Sequence, residues 1–361
     1  MMVRLGIKNL LDHKLLTLVM AGVIGISLMS FFTLQAYRSG FTARYSKISP
    51  NYLVVQMSGS FGEYYGSRIP VEVGDELRAA GVSQVIPEIH TVVGTTEENA
   101  ILLRGIPLDN PYQVENYQMV SGRPLEPGDL PRLAMVGIRL SEKLSLSPGG
   151  TISIRDRDFQ VVGIFENGTY ADNEAWISIT DAQSLLGWGT DVSVFIIPSG
   201  EVFQQGDTLP GGISIVQKGE SGSTLLKEWN PFLNIITMVV WFLGMAAIIA
   251  LASILWRLAW LKRRELAIIR SIGYGKINMM VYLLSQGIGI SLLGFLAGVL
   301  GAMFLGFFTE VKTAGISFHA VYDIRVFLSS FLFSILLTAA GAVVPAWRFT
   351  RLNLAMLLRS E

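Results

Sequence analysis

The chain has no cysteine among its 361 residues and only three histidines. The absence of cysteine excludes disulfides, thiolate metal sites and cysteine nucleophiles, so a folded domain here depends on packing alone. Charged residues are absent from four long apolar stretches, at 15–37, 232–256, 279–308 and 326–347. Because an uncharged apolar run of this length spans the roughly 30 Å hydrocarbon layer of a bilayer as an α-helix, we predict four membrane spans.

Charged residues are also scarce in the chain as a whole, at 16%, while 51% of the residues are hydrophobic. This composition is more apolar than that of an ordinary soluble protein. Between the first and second spans lies a polar segment, 38–231, which is long enough to fold as an independent domain. The remaining segments are 1–14, a loop at 257–278, a short outer loop at 309–325 and a tail at 348–361.

The formal net charge is zero, but the two signs are segregated along the chain. The segments 1–14, 257–278 and 348–361 together hold 12 basic and three acidic residues, whereas the large polar segment holds 14 basic and 23 acidic ones. Because short basic loops stay in the cytosol, we predict that both termini are cytoplasmic and the large domain is extracytoplasmic. The acidic excess of that domain argues against nucleic acid as its partner.

The N-terminal segment 1–14 places leucine and isoleucine on one side of a helix and Arg4, Lys8 and Asp12 on another. This pattern is typical of an interfacial helix that lies on the inner leaflet, in contact with membrane lipids. A cleaved signal peptide is the alternative interpretation. Its apolar region is normally shorter than 15–37, and no convincing small-residue cleavage site follows, so we expect a retained anchor.

Short strands and helices alternate in the polar segment. The segment 71–80 has the period of a helix that ends at Gly81, and 51–56 has the pattern of a strand. The segments 151–154 and 159–165 bracket a charged tip, which predicts a hairpin. We expect a late strand at 212–216 to return to the first layer. The predicted fold is therefore a four-helix membrane protein with an α+β domain inserted between helices 1 and 2.

The sequence also lacks the phosphate-binding motif of an ATPase. The only Gly-Lys pair is Gly275-Lys276, and Ile277 follows where that motif needs serine or threonine. The four predicted spans carry no charged residue, although ion and proton pathways through membranes usually need one. A secondary transporter or a channel is therefore disfavoured, and the chain cannot bind ATP through this motif.

The inner loop 257–278 displays more apolar side chains than a solvated loop needs. One interpretation is a coupling helix that inserts into a groove of a partner, with paired charges fixing its orientation. The other is an interfacial helix whose isoleucine and leucine side chains lie in lipid. The residues alone do not separate the two. The candidate coupling residues are Arg264, Glu265, Leu266, Ile268, Ile269, Arg270, Ile272 and Gly273.

Small residues recur every four positions on one face of the third span, where they let another helix approach closely. We expect packing within one chain rather than a homodimer seam. Loose packing with no specific role is the alternative, because glycine is common in membrane helices. The candidate packing residues are Gly294, Gly298, Ala302 and Gly306.

An enzymatic outer domain is a competing hypothesis. Its single histidine, His90, lies near Glu88 in what reads as an ordinary strand or loop, with no nucleophile elbow or metal-ligand pair nearby. His319 in the short outer loop is a lone histidine, and such residues are more often surface residues than metal or haem ligands. Trp176 and Trp188 are expected in the core. We predict that the chain is not an enzyme and holds no cofactor.

Several separated stretches of the chain follow the pattern of one known family. They are Gly122–Leu125, Gly137–Leu144, Pro148–Ile152 and Phe159–Phe165 in the polar segment, Arg263–Gly273 in the inner loop, and Pro345–Arg359 at the end. In this order they resemble the FtsX-like permeases with a MacB-like outer domain. The chain departs from the family at Tyr274, where alanine is frequent, and at Leu354, where proline is frequent.

The resemblance implies a permease subunit of an ABC transporter in the bacterial inner membrane. It implies a homodimer joined mainly through the first two spans, with two copies of a separate ATPase that binds ATP and Mg, and it allows a periplasmic adaptor. It favours the coupling interpretation of the inner loop. The implied mechanism is mechanotransmission, in which ATPase closure moves the outer domain and an amphipathic substrate. The alternatives are a signalling subunit that activates a cell-wall hydrolase and a membrane-anchored sensor without an ATPase.

Overall fold

The computed structural model describes residues 1–45, 50–96, 100–109, 114–309, 311–313 and 316–351. Most of the predicted tail and part of the short outer loop, namely 352–361, 310 and 314–315, lie outside the described residues. The chain divides into two compact units. The membrane unit comprises Met1–Ser39, Pro231–Thr309 and His319–Glu361, and the outer domain comprises Gly40–Asn230 and Glu310–Phe318.

The helices occur in both units. Among the described residues, four are long and apolar enough to cross a membrane, over Lys14–Ala43, Leu233–Leu261, Lys276–Phe308 and Ile324–Arg348. The predicted number of spans is therefore confirmed. The helices are α1 Met2–Asp12, α2 Lys14–Tyr45, α3 Glu72–Ala79, α4 Ile138–Leu144, α5 Ile179–Leu186, α6 Glu220–Leu261, α7 Arg263–Ser271, α8 Lys276–Phe308 and α9 Ile324–Thr350.

The strands belong to the outer domain and form a mixed sheet. They are β1 Tyr52–Met57, β2 Ile86–Val93, β3 Ile101–Ile106, β4 Gln118–Gly122, β5 Leu133–Gly137, β6 Thr151–Ile154, β7 Arg157–Glu166, β8 Glu174–Ser178, β9 Val194–Pro198, β10 Thr208–Leu209 and β11 Ile213–Gln217, with a separate hairpin of β12 Val311–Thr313 and β13 Ile316–Phe318.

The large sheet has the order β10-β11-β1-β9-β2-β3-β8-β5-β7-β4, with β6 paired to β7. β3 and β8 are parallel, as are β5 and β7, while the other pairs are antiparallel. β11 pairs with β1, and Val216 lies opposite Val54, so the predicted return of the last strand to the first layer is confirmed. β6 and β7 form the predicted hairpin. The inserted α+β domain is therefore confirmed as well.

Both faces of the sheet bury apolar side chains, and one of them also buries a group of charged side chains. One face carries the main hydrophobic core, which includes Ile89, Leu103 and Ile177. Because neighbouring residues of a strand point to opposite faces, Glu88, His90, Arg104 and Trp176 lie on the other face. All four are buried.

α5 lies close against the core face. A Cβ atom at Gly105 of β3 would lie only 2.6 Å from Cβ of Ala182 in α5, so glycine at this position permits the close approach of the helix to the sheet.

The membrane unit has its own apolar core. Ile24 and Leu28 of α2, Leu255 of α6, Ile290 of α8 and Phe333 of α9 are buried together in one cluster. All four membrane-spanning helices thus contribute to a single packed interior, which explains why each span is apolar on its inward face as well as toward lipid.

Candidate functional site

The inner loop contains the short helix α7. Its charges complement the helix dipole, because Glu265 lies in the first turn and Arg270 in the last. Lys262, which precedes the helix, places its Nζ 2.8 Å from Oε1 of Glu265. These charges favour the helical conformation of the nine residues of α7.

The two sides of α7 have different environments. Leu266 and Ala267 are buried, and they pack in one cluster with Met279, Leu283 and Ala346 from the ends of α8 and α9. On the other side Ile268 is 53% exposed and Ile272, directly after the helix, is 74% exposed. The Glu265 side chain is 66% exposed. The loop therefore presents an exposed surface that is acidic and apolar and consists of Glu265, Ile268 and Ile272. The opposite side of α7 packs against the helix bundle.

The structure distributes the eight candidate coupling residues between these two sides. Leu266 is buried in the bundle, and Ile269 and Arg270 are half-buried. Arg264 is exposed and lies beside Glu265, and Gly273 is exposed directly after Ile272. The three residues Glu265, Ile268 and Ile272 are named the docking face below.

Gly273 ends this segment. Its φ of +105° lies in the left-handed region that favours glycine. Its amide donates to the carbonyl of Arg270 at 3.2 Å, and the amide of Tyr274 donates to the carbonyl of Ile269 at 3.4 Å. These bonds satisfy carbonyls at the end of the helix and turn the chain toward α8.

The N-terminal helix α1 contributes to the apolar cluster that contains the buried side of α7. Met2 is buried in the same cluster as Leu266. Gly6 approaches α8 so closely that a Cβ atom there would lie 2.9 Å from the carbonyl oxygen of Tyr282. One face of α1 is thus packed against the bundle, while Val3 and Ile7 on another face are exposed. The predicted interfacial location of α1 remains a prediction.

The small-residue face of α8 packs within the chain. A Cβ atom at Gly298 would lie 2.8 Å from the carbonyl oxygen of Gly25 in α2, and one at Gly294 would lie 2.8 Å from Cγ2 of Ile24. Ala302 is buried, and its carbonyl accepts a hydrogen bond from Oη of Tyr322 at 2.9 Å. Nearer the outer end, a Cβ atom at Gly306 would collide with Tyr322. This face therefore brings α2 and the segment before α9 into direct contact with α8.

A buried ionic cluster in the outer domain is the feature that sequence reasoning missed. Arg104 of β3 is at its centre: Nε lies 2.8 Å from Oε2 of Glu174, and Nη1 lies 2.7 Å from Oε1 of Glu115. His90 Nε2 and Glu88 Oε2 are 2.7 Å apart on the neighbouring strand. The Arg104 guanidinium also lies 5.0 Å from the ring centroid of Trp176.

A second cation completes the cluster. Lys218 Nζ lies 3.1 Å from Oε1 of Glu115 and 3.3 Å from Oε1 of Glu63. Asn167 donates from Nδ2 to the other oxygen of Glu115 at 2.8 Å. The buried ionic cluster consists of Glu63, Glu88, His90, Arg104, Glu115, Glu174 and Lys218.

The cations of the cluster outweigh the effect of burial on its carboxyl groups. Burial by itself raises the pKa of Glu88, but the hydrogen bond from His90 and the charge of Arg104 bring it below its ordinary value. Burial likewise opposes ionisation of Glu115, yet Arg104 and Lys218 hold its pKa far below the usual range. Burial lowers the pKa of Lys218, but Glu115 and Glu63 raise it above its ordinary value. Glu115 and Lys218 therefore remain charged at neutral pH.

The signal for this cluster was present in the strand alternation. Glu88, His90 and Arg104 occupy positions of β2 and β3 whose neighbours, Ile89 and Leu103, belong to the hydrophobic core. In a sheet with only one buried face, such alternation indicates solvent-exposed charge. Here the second face is buried too, which only the tertiary fold reveals. Trp176 is fully buried, as predicted.

The comparisons with known proteins agree with this architecture. The family model of the MacB-like periplasmic core domain matches residues 17–205. The model of the FtsX-like permease C-terminal domain matches residues 236–354. The first model alone covers more than half of the chain. A search of curated proteins gives no match.

Two solved structures are similar to the chain at low sequence identity. The periplasmic region of MacB from Actinobacillus actinomycetemcomitans has 15% identity and a TM-score of 0.35, over 50% of this chain and 85% of that one. A domain of a protein described as a permease, from Porphyromonas gingivalis, has 14% identity and a TM-score of 0.28, over 44% of this chain and 80% of that one.

The first family model covers most of the first membrane helix and the outer domain as far as residue 205, and the second covers the last three membrane helices with the inner loop. The chain thus belongs to the family of FtsX-like permeases with a MacB-like periplasmic core domain, and it is a permease subunit of an ABC transporter.

Proposed function

We propose that this subunit receives mechanical work from a separate ATPase through α7 and uses it to move the outer domain. The observation that carries the proposal is the docking face: Ile268 and Ile272 are exposed while Leu266, on the same helix, is buried in the bundle. An apolar surface on a short helix that is supported from behind suits insertion into a groove of a partner. Glu265 supplies a charge that fixes the orientation.

The proposed ATPase supplies what the chain lacks. No phosphate-binding motif occurs in this sequence, so ATP and Mg would be bound by the partner. The excess of basic residues in 1–14 and in 257–278 supports a cytoplasmic location for both termini and for α7. Two ATPase copies and a homodimer of this chain complete the proposed assembly. A periplasmic adaptor is an optional further partner.

An amphipathic molecule is the proposed substrate. The predicted spans 15–37, 232–256, 279–308 and 326–347 carry no charged residue, whereas a path for a small ion through the bilayer usually needs one. A substrate that is already in the outer leaflet or outside the membrane needs no such path. Stimulation of ATP hydrolysis by added amphiphiles in reconstituted membranes would support transport. Tight binding of the assembly to a cell-wall hydrolase would instead support the signalling alternative.

The docking face is tested by co-purification of the ATPase with the full chain from native membranes. The double variant Glu265→Ala, Ile268→Ala should lose at least about tenfold of the bound ATPase, because hot-spot truncations at interfaces cost on the order of 2 kcal/mol each. The matched control is Glu228→Ala, Ile288→Ala, which removes one exposed glutamate and one exposed isoleucine outside α7. Equal ATPase recovery with both double variants would contradict the proposal.

A further inference from the structure

Two segments of the outer domain that lead to membrane helices lie at or near the buried ionic cluster. Lys218 and Gly219 directly precede α6. The hairpin strand β13, which lies between α8 and α9 in the chain, contacts the 3-10 turn Tyr170–Asn173. Tyr170 in that turn accepts a hydrogen bond at Oη from Nη2 of Arg104 at 3.0 Å. Lys218 is therefore a member of the cluster, and β13 lies next to the turn that Arg104 contacts.

The start of α6 is held from two directions. Glu63 accepts from Lys218 Nζ through Oε1 and, at 2.7 Å, from the backbone amide of Gly219 through Oε2. Glu115 Oε1 also accepts a hydrogen bond from Lys218 Nζ, at 3.1 Å. Lys218, Glu63 and Glu115 are all buried or nearly so, with 10% exposure at most. The last residues before α6 are thus fixed to the interior of the domain and not to its surface.

Polar contacts of Glu115 and Arg104 extend from Lys218 to the 3-10 turn. Glu115 Oε1, which contacts Lys218, also accepts from Nη1 of Arg104 at 2.7 Å. Arg104 then contacts Tyr170, and Glu115 Oε2 accepts from Asn167 just before the turn. A continuous path of direct polar contacts therefore runs from Lys218 through Glu115 to both ends of the segment 167–170.

A path of buried charges transmits displacement differently from an apolar contact. A shifted apolar contact loses packing alone, whereas a buried carboxylate that loses its cation is left uncompensated in a poorly solvated interior. A shift of Lys218 therefore removes a charge partner from Glu63 and Glu115 together. The lower-energy response is for the attached groups to move with it.

We propose that Lys218 is a positioning residue that links the start of α6 to the segment 167–173, which contains the 3-10 turn, through Glu115 and Arg104. The role rests on the proposed function, because the displacement to be transmitted comes from the ATPase. On this account the buried ionic cluster is the part of the outer domain that receives motion from the membrane helices. The segment 167–173, whose 3-10 turn contacts β13, then moves together with the cluster.

The link is tested first without any ATPase, by hydrogen exchange of the full chain in nanodiscs. Lys218→Met removes the charge but keeps most of the side-chain length. We expect amide exchange to become roughly tenfold faster at 219–223 and also at the distant segment 167–172. Lys218→Arg, which keeps the charge, should restore protection at both segments. The matched control Lys227→Met removes an exposed lysine of α6 and should change neither segment.

Two outcomes of this first experiment would overturn the link. One is faster exchange confined to 219–223, which would make Lys218 a local anchor only. The other is uniformly faster exchange throughout the outer domain, which would indicate a general loss of stability. Urea unfolding of Lys218→Met, followed by near-UV circular dichroism, identifies the second case.

The second experiment adds the co-purified ATPase and compares exchange with ATP and with ADP. In the unmodified chain ATP should change exchange at 167–172 at least about twofold, a difference that this method resolves for local opening. Lys218→Met should lose that response while ATP hydrolysis and ATPase binding persist. A retained response would contradict the link. Failure of the ATPase to bind the unmodified chain would contradict the proposed function instead, and the first experiment would still decide the link.

Discussion

The outer domain buries a cluster of charges against one face of its sheet, whereas the membrane bundle has no charged residue in any of its four predicted spans. In the domain, Arg104 and Lys218 are compensated by carboxylates at 2.7 to 3.3 Å. In the bundle, contacts between α8 and α2 depend on glycines such as Gly298, where backbones meet without side chains. One chain thus specifies its two units with different interactions.

The difference follows from what surrounds each unit when it folds. Lipid cannot solvate an unpaired charge, so a charged network in the bundle would be costly at every stage of assembly. The outer domain folds in water, where charged groups are solvated until their partners are in place. A buried ion pair is weak evidence for stability, but it ties its members to one geometry. Close glycine packing does this for the bundle through shape alone.

Removing the charge of Arg104 should change the stability of the outer domain more than any other substitution described here. Arg104→Met should lower the free energy of unfolding of the outer domain by about 3 to 5 kcal/mol, because Glu115 and Glu174 would be left as buried charges with fewer partners. The measurement is urea unfolding of the full chain in nanodiscs, followed by near-UV circular dichroism.

Arg123→Met is the matched control for this substitution. Arg123 is 43% exposed and Asp129 is 12% exposed, so this pair is more solvated than the contacts of Arg104, which is fully buried. Its loss should cost about 1 kcal/mol or less. Equal effects of the two substitutions would contradict the view that the buried ionic cluster is specially sensitive to the loss of a partner.

Acid should destabilise the outer domain more than the bundle. The pKa values of Glu88 and Glu115 are lower in the folded chain than in the unfolded chain, so their contribution to stability is fully present above about pH 5. It is lost as the pH falls below their unfolded pKa of about 4.3 toward the folded values. Urea unfolding between pH 7 and pH 3 measures this loss.

The variant Glu88→Gln provides the check on the pH dependence. It removes a carboxyl group of the buried ionic cluster whose pKa is lowered, so the stability of the variant should depend less steeply on pH below 5. An unchanged slope would show that other groups control the acid response.

A smaller effect is expected from glycine packing in the bundle. Gly298→Ala should destabilise the membrane unit by about 1 to 3 kcal/mol, because the new methyl group would lie 2.8 Å from the carbonyl oxygen of Gly25. Gly22→Ala in α2 is the control, since no atom lies within 4 Å of the added methyl group. It should be neutral or stabilising by up to about 1 kcal/mol. Thermal unfolding in detergent compares them, and destabilisation by both would contradict close packing as the cause.

The smallest expected effect on stability is at α7. Glu265→Gln removes the pair with Lys262, in which the Glu265 side chain is 66% exposed, so the thermal stability of the membrane unit should change by about 0.5 kcal/mol or less. The same variant should weaken ATPase binding, measured by titration in nanodiscs. A large loss of stability would mean that Glu265 supports the bundle and is not reserved for a partner.

The sequence was sufficient for the architecture because the signals were local. Uncharged runs located the four spans, and the strand pattern at 212–216 predicted the return of β11 to β1, which the pairing of Val216 with Val54 confirms. The helical periodicity of the sequence could not show which side of α7 is buried and which is exposed. Leu266 and Ile268 are both apolar, and only the positions of α1, α8 and α9 decide that the first is buried and the second exposed.

The buried ionic cluster could not be predicted from the sequence for a different reason. Its members come from six separate stretches between Glu63 and Lys218, and no spacing rule relates them. Glu115 and Lys218 are more than a hundred residues apart, yet their side chains are 3.1 Å apart in the folded domain. Such a cluster depends on long-range strand order, which the alternation of any one strand does not contain.

We propose that ATP hydrolysis by the partner ATPase moves the outer domain relative to the membrane helices. The absence of native cysteine allows a clean spin-label pair at Ser147→Cys in the domain and Phe307→Cys near the end of α8, both exposed positions. With the ATPase bound, the distance distribution between the labels should differ between ATP and ADP. An identical distribution in both states, during continuing ATP hydrolysis, would contradict the account.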